Sequence, residues 1–320
     1  GDRRLFAFGV GYDVNTRLLD GLCQGTRGTS SYVRPKENLE IALSSFYEKI
    51  AHPVMTDLKL DRGSVRLSEL NPPEFPDLFR GGELRVTGRY TGKGKQALVL
   101  SGDVGGTREN FRFEADLDGN RRNTFIPRMW AISRVGYLQE QVRINGSQKE
   151  LIDEIRYLGR KYGIITEYTS FLIVEDNVDR RRVDEAKRAF HDGQAAMDAA
   201  ESGALAVEGA TRAKAMQMGA YGRGGGAAGG PVAAPVVSAP VQQVYRAAGI
   251  KAGDVAAMVK EAEDKTFYLR QADATWYDSL IPADSTPTID REVKAWSDEF
   301  FALARQYPEL SRYLRVGERL

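Results

Sequence analysis

The chain has 320 residues, 42% hydrophobic and 28% charged, proportions ordinary for a soluble globular protein with room for two or three domains. A formal net charge of +1 provides no field to gather nucleic acid or an anionic surface. The one cysteine, Cys23, excludes an internal disulfide framework or a thiolate metal cluster, and two histidines, His52 and His191, starve triads, zinc sites and proton relays.

The chain opens on Gly1, without an initiator Met or signal peptide, and reaches a strand within a few residues, so it reads as cut from something longer. Leu5–Val10 (LFAFGV) is an apolar run suited to a strand buried on both faces of a parallel sheet. Asn15 is placed to N-cap a helix whose buried face is Leu18, Leu19, Leu22 and Cys23. On that stripe Cys23 reads as a buried small hydrophobe rather than a nucleophile. Thr29–Val33 makes a second strand, and Leu39, Leu43, Phe46 and Ile50 recur at helical spacing before Pro53. Residues 1–53 are therefore expected as a right-handed parallel crossover, the C-terminal half of a doubly wound α/β sheet.

From Val54 the period changes from helical to alternating, which predicts an antiparallel β layer over 54–124. Its strands are expected at Val54–Leu60, Glu83–Tyr90, Ala97–Leu100 and Phe111–Phe113, with Asn71–Asp77 (NPPEFPD) as an extended connection. Residues 125–178 read as a helical hairpin and a closing strand. Trp130, Ile132, Val135, Leu138 and Val142 face inward on the first helix, and Ser147 with Glu150 makes a capping box for the second. Phe171–Val174 supplies the strand. One helix, charged and then Ala-rich, is predicted over 179–220, followed by a Gly/Ala/Pro linker at 221–245, too weakly apolar and too proline-broken to span a membrane. A small α+β unit at 246–320 closes the chain. Its strands are expected at Thr266–Leu269, at Trp276–Asp278 and from Val293, with a helix over Ser297–Tyr307 burying Phe300, Phe301, Leu303 and Ala304.

Few constellations invite chemistry. GVGYDVN at 9–15 follows a strand and opens a helix, but Val14 stands where a dinucleotide fingerprint needs its third glycine, and no Lys-Ser/Thr follows. It reads as a tight turn. Glu175, Asp176 and Asp179 lack a twelve-residue calcium loop around them. Arg180, Arg181 and Arg182 are balanced by Asp179, Asp184 and Glu185, as on a charged helix face. Trp276, Tyr277 and Trp296 read as core packing. Asp273, Asp278 and Asp284 could serve an enzyme only as a carboxylate pair with split pKa values, and their spacing gives no support for one. No catalytic, cofactor-binding or metal residue is assigned.

RLFAFGVGYDVNTRLLDGL, with YVRP, SFYEKIAHPV and DLFRGGELRVTGRY after it, resembles the bacterial relatives of inter-alpha-trypsin inhibitor heavy chains. Those proteins join a vault protein inter-alpha-trypsin (VIT) domain to a von Willebrand factor type A domain. FIPRMWAISRVGYL and KYGIITEYTSFLIVED are similar to the hairpin and strand after the A domain, and KTFYL, WYDS and FFALARQYPELSRYLRVGERL to a small C-terminal unit of bacterial members. The resemblance is collinear over residues 4–178 and resumes from 264. It implies an α+β multidomain fold and a non-enzymatic protein-interaction or adhesion module, taking a protein or extracellular-matrix partner at the cell envelope, in the periplasm or outside the cell. A-domains of the family hold Mg or Ca through a D-x-S-x-S loop, a Thr and an Asp. No position here matches that set, so no residue inherits a metal role, and Asp13 lies at a strand end without fitting the motif. A structural subunit pairing through a bare sheet edge is the second reading, and a carboxylate-dependent enzyme the third.

Overall fold

In a computed structural model of the chain, β1 (Ala7–Val10) and β2 (Ser30–Val33) pair in parallel, Ala7 opposite Ser30 and Val10 opposite Val33. The structure describes residues 3–117, 123, 125–170, 174, 180–219, 238–251, 254–262, 265–270, 274–281, 291–314 and 316–317. They fall into two units, Gly1–Ser147 with Ala199–Tyr221, and Gln148–Asp198 with Gly222–Leu320. The fold is mixed, with helices around several separate sheets.

In the first unit, α1 (Thr16–Gln24) crosses between the parallel strands, and the Asn15 side chain accepts from Leu18 N at 2.8 Å. The return to β2 passes so close to the preceding strand that a Cβ on Gly28 would lie 1.7 Å from the Leu5 carbonyl oxygen. Only glycine fits there. The expected buried face of α1 is corrected: Leu18 and Leu22 are 57% and 48% exposed, while Thr16, Asp20 and Cys23 point inward. β1 is likewise buried on one face only, since Val10 is exposed. On α2 (Leu39–Ala51), Leu39 and Leu43 are exposed, and Phe46 packs on Phe6 and Phe8.

An antiparallel sheet follows in the order β5 (Leu78–Phe79), β3 (Pro53–Asp61), β7 (Lys95–Val104), β8 (Thr107–Asp116). A separate ribbon pairs β4 (Arg66–Asn71) with β6 (Thr87–Thr91). β4 went unrecognised in the sequence, and the strand expected at Glu83–Tyr90 begins only at Thr87. α3 (Phe125–Asn145) covers this ribbon, its Trp130 Nε1 donating to the Glu69 carbonyl at 3.1 Å.

The helix packed on α3 is α6 (Gly203–Gln217). Ala206, Ala210, Ala213 and Met216 are all buried there, and a Cβ on Gly136 would lie 2.6 Å from Met216 Cβ. The alanine content that reads as a fading helix is therefore a close-packing face. The single helix expected over 179–220 is two, α5 (Arg180–Ala199) and α6, and the hairpin expected over 125–178 is divided, with α3 in the first unit and α4 (Lys149–Lys161) in the second.

In the second unit, α4 starts from Gln148 without a side-chain cap, so the Ser147–Glu150 capping box does not form. Phe171–Ile173 lie outside the described residues, and Val174 is a fully buried turn residue. The core gathers Ile165, Val174, Phe190, Val241, Val244 and Tyr245 around α7 (Ala239–Ala248). That helix occupies the end of the segment expected as a linker; residues 220–237 lie outside the described set. Val241, Val244, Tyr245 and Ala248 repeat at helical spacing and are each 1% exposed. β9 (Val259–Ala262), β10 (Lys265–Arg270) and β11 (Thr275–Asp278) form an antiparallel sheet in the order β11-β10-β9. Its third strand is β9, and Val293 lies in irregular chain. Ser297 caps α8 (Asp298–Gln306), which buries none of its residues, and Phe301 is 44% exposed; α9 (Pro308–Ser311) follows. Among the described residues no helix is long and apolar enough to cross a membrane.

Candidate functional site

The residues singled out for chemistry are scattered. Asp13 is exposed in the loop before α1, His52 ends α2 on the surface, and His191 is exposed on α5 against the Phe190 ring. Cys23 is 2% exposed, and burial raises its thiol pKa, which keeps it protonated and unreactive. Asp278 accepts from Lys265 Nζ at 2.6 Å within the β10–β11 hairpin. Glu175, Asp176, Asp179, Asp273 and Asp284 lie outside the described residues. Trp276 is buried under Lys260, whose Nζ sits 4.2 Å from the ring centroid. Trp296 departs from the core expectation: it is 74% exposed and touches Phe300 and Phe301. Among the described residues, no group of three or more His, Cys, Asp or Glu could hold a metal.

The concentrated electrostatics lie elsewhere, in the first unit. The Asp20 side chain has no exposed surface. Its Oδ2 accepts from Arg143 Nη1 and Nη2 at 2.9 and 2.7 Å, and its Oδ1 accepts from Lys214 Nζ at 2.7 Å. Tyr32 OH donates to Oδ1 at 2.7 Å, and Ser30 Oγ donates to the same oxygen. Arg143 also reaches Thr16 Oγ1 at 3.1 Å, and Lys214 stands 4.7 Å from the Tyr32 ring centroid. Burial alone would raise the Asp20 pKa. The Lys214 and Arg143 charges and their hydrogen bonds outweigh it, and the net shift is downward. Nearby, Glu140 is pushed up by burial while accepting from Gln217 Nε2 at 2.7 Å.

One carboxylate thus joins α1, β2, α3 and α6. It is fully enclosed and fully bonded, so it fixes architecture and presents nothing to a ligand. The outward sides of α1 and α2 differ. Leu18 and Leu22 on α1, and Leu39, Leu43 and Tyr47 on α2, stand one turn apart in rows and are 45–67% exposed. Sequence reasoning missed Asp20 because three leucines around it outweigh it on any hydropathy scale.

No family model matches the chain. It is 22% identical over 188 residues to inter-alpha-trypsin inhibitor heavy chain 4 of Mus musculus, which covers 55% of this chain and 20% of that protein. It is 24% identical over 195 residues to inter-alpha-trypsin inhibitor heavy chain H4 of Homo sapiens, covering 57% of this chain and 21% of that protein. A von Willebrand factor A domain-containing protein of Dictyostelium discoideum is 28% identical over 178 residues, 53% of this chain and 21% of its own length. The chain therefore spans about a fifth of the length of these curated relatives.

Proposed function

We propose that this relative of inter-alpha-trypsin inhibitor heavy chains and von Willebrand factor A domain-containing proteins is a non-enzymatic protein-interaction module that works without a bound cation. The observation that carries the reading is the similarity to both groups over more than half of the chain. The exposed leucine rows of α1 and α2 support it, since apolar side chains set in register on a helix surface suit contact with another protein. Residues 4–53 would be the half of an A domain that carries no ion ligand. The β layer, α3 and the C-terminal unit would be its support. Calorimetric titration of the 320-residue chain with Ca or Mg should be silent. Stoichiometric binding at micromolar concentration would overturn the ion-independent reading.

A second reading, assembly through a sheet edge, is favoured by the β1–β2 pair. Among the described residues these two parallel strands pair with no third, which leaves both as edge strands.

A further inference from the structure

The second unit carries a groove of about 560 Å³, within the span of roughly 300–1,000 Å³ usual for binding sites. One wall is a single row on α4, where Arg156, Tyr157 and Arg160 recur at i, i+1 and i+4. The apolar lining is Tyr168, Phe190 and Leu280. Tyr168 and Phe190 are 4% and 8% exposed, and the Tyr168 hydroxyl donates to Asp198 Oδ1 at 2.7 Å. Tyr157 and Leu280 are 49% and 42% exposed and face solvent at the rim.

The charges in the groove are unbalanced. Arg160 is half-buried, and its guanidinium makes no hydrogen bond or ion pair among the described residues. Arg156 stands 3.7 Å from Asp153, whose closer partner is Lys149. Lys161 adds a third positive charge at the Tyr157 ring, 5.6 Å from its centroid. Among the described residues Arg160 therefore has no paired anion, while Asp198 is engaged by the Tyr168 hydroxyl and Asp153 is already neutralised. A half-buried guanidinium gains two charge-assisted hydrogen bonds from a carboxylate that water alone does not replace.

We propose that this groove docks an acidic peptide segment of a partner protein, with its carboxylates on Arg160 and Arg156 and an aromatic or aliphatic side chain on Tyr168 and Phe190. The inference rests on the reading of the chain as a protein-interaction module. The seven helical steps from Asp153 to Arg160 span about 10 Å at 1.5 Å per residue, which matches three residues of extended chain at about 3.3 Å each. An extended peptide laid along α4 thus reaches both arginines and the aromatic floor together.

The test uses the intact chain and a fluorescein-labelled peptide bearing Glu-Asp-Phe between glycines, read by fluorescence anisotropy. Saturable binding that weakens with added salt is expected. Arg160→Glu should weaken it by about tenfold or more, as loss of a charge-assisted pair implies, and Arg160→Lys should retain part of it. Tyr157→Ala, at an exposed position, should weaken binding without disturbing the fold. If Arg160→Glu fails to fold, Arg156→Glu and Tyr157→Ala decide the matter. Unchanged affinity in those variants, equal binding of a Lys-Lys-Phe peptide, or no saturable binding at all would overturn the groove. Full displacement by millimolar inorganic phosphate, with a Glu-Asp-Ala peptide binding equally well, would reduce it to a simple anion site and overturn the peptide. Each of these results leaves the interaction-module reading to the cation titration, which the groove does not touch.

Discussion

At the scale of single residues, Asp20 is the side chain whose loss reaches furthest. Asp20→Asn would leave the buried Arg143 and the half-buried Lys214 side by side without their counter-charge, and breaking a buried pair in this way costs on the order of 3 kcal/mol. Urea unfolding at neutral pH should show that loss, with a fall in melting temperature of several degrees. The pH dependence follows from the sign of the shift. The folded pKa of Asp20 is depressed, so its contribution is present above the unfolded value of about 3.9 and is lost as pH falls below it. The gap between wild type and Asp20→Asn should therefore narrow in acid, and a gap that stayed constant would rule out ionised Asp20 as its source. None of this was legible in the sequence. Thr16, Asp20 and Cys23 do repeat at helical spacing, but Asp20 is made a core residue by partners 123 and 194 positions away.

At the scale of elements, the α3–α6 contact is the most exacting. A Cβ on Gly136 would lie 2.6 Å from the Met216 Cβ and 2.7 Å from the Ala213 carbonyl oxygen, so Gly136→Ala must push two helices apart. Overpacking of that kind costs about 1–3 kcal/mol. Thermal unfolding should register the loss, although alanine is intrinsically the better helix former. A neutral or stabilising effect would mean that α6 does not approach so closely. Strand periodicity was readable for β3 over Val54–Leu60, and it marked only the middle of β7 and β8, at Ala97–Leu100 and Phe111–Phe113. It failed for β4, whose charges at Arg66 and Glu69 and leucines at Leu67 and Leu70 recur every third residue and so break a two-residue alternation. α7 was hidden for another reason: it follows a glycine- and proline-rich run, and composition averaged over that run masks its own Val241-Val244-Tyr245-Ala248 stripe.

At the scale of the whole chain, the two readings of function predict different masses in solution. A module that meets a different protein should be monomeric by light scattering at micromolar concentration. Pairing through β1 or β2 should instead give a concentration-dependent dimer, which proline in place of Phe8 would dissolve by removing a strand donor. A dimer that behaves so would replace the first reading with the second. The surface argues for some partner in either case, because α1 and α2 turn leucines outward on a unit whose core is closed by charges.

What the sequence by itself determined is local and collinear. Apolar runs, the Asn15 cap, and the motif order that led to the heavy-chain relatives can all be read from neighbours within a few positions. Only the tertiary structure decided which face of α1 is buried, where α6 packs, and that Arg160 pairs with no anion among the described residues beside an aromatic groove. Each of those depends on groups far apart in the chain, and the free energy of burying a charge is set by the partners that folding brings to it.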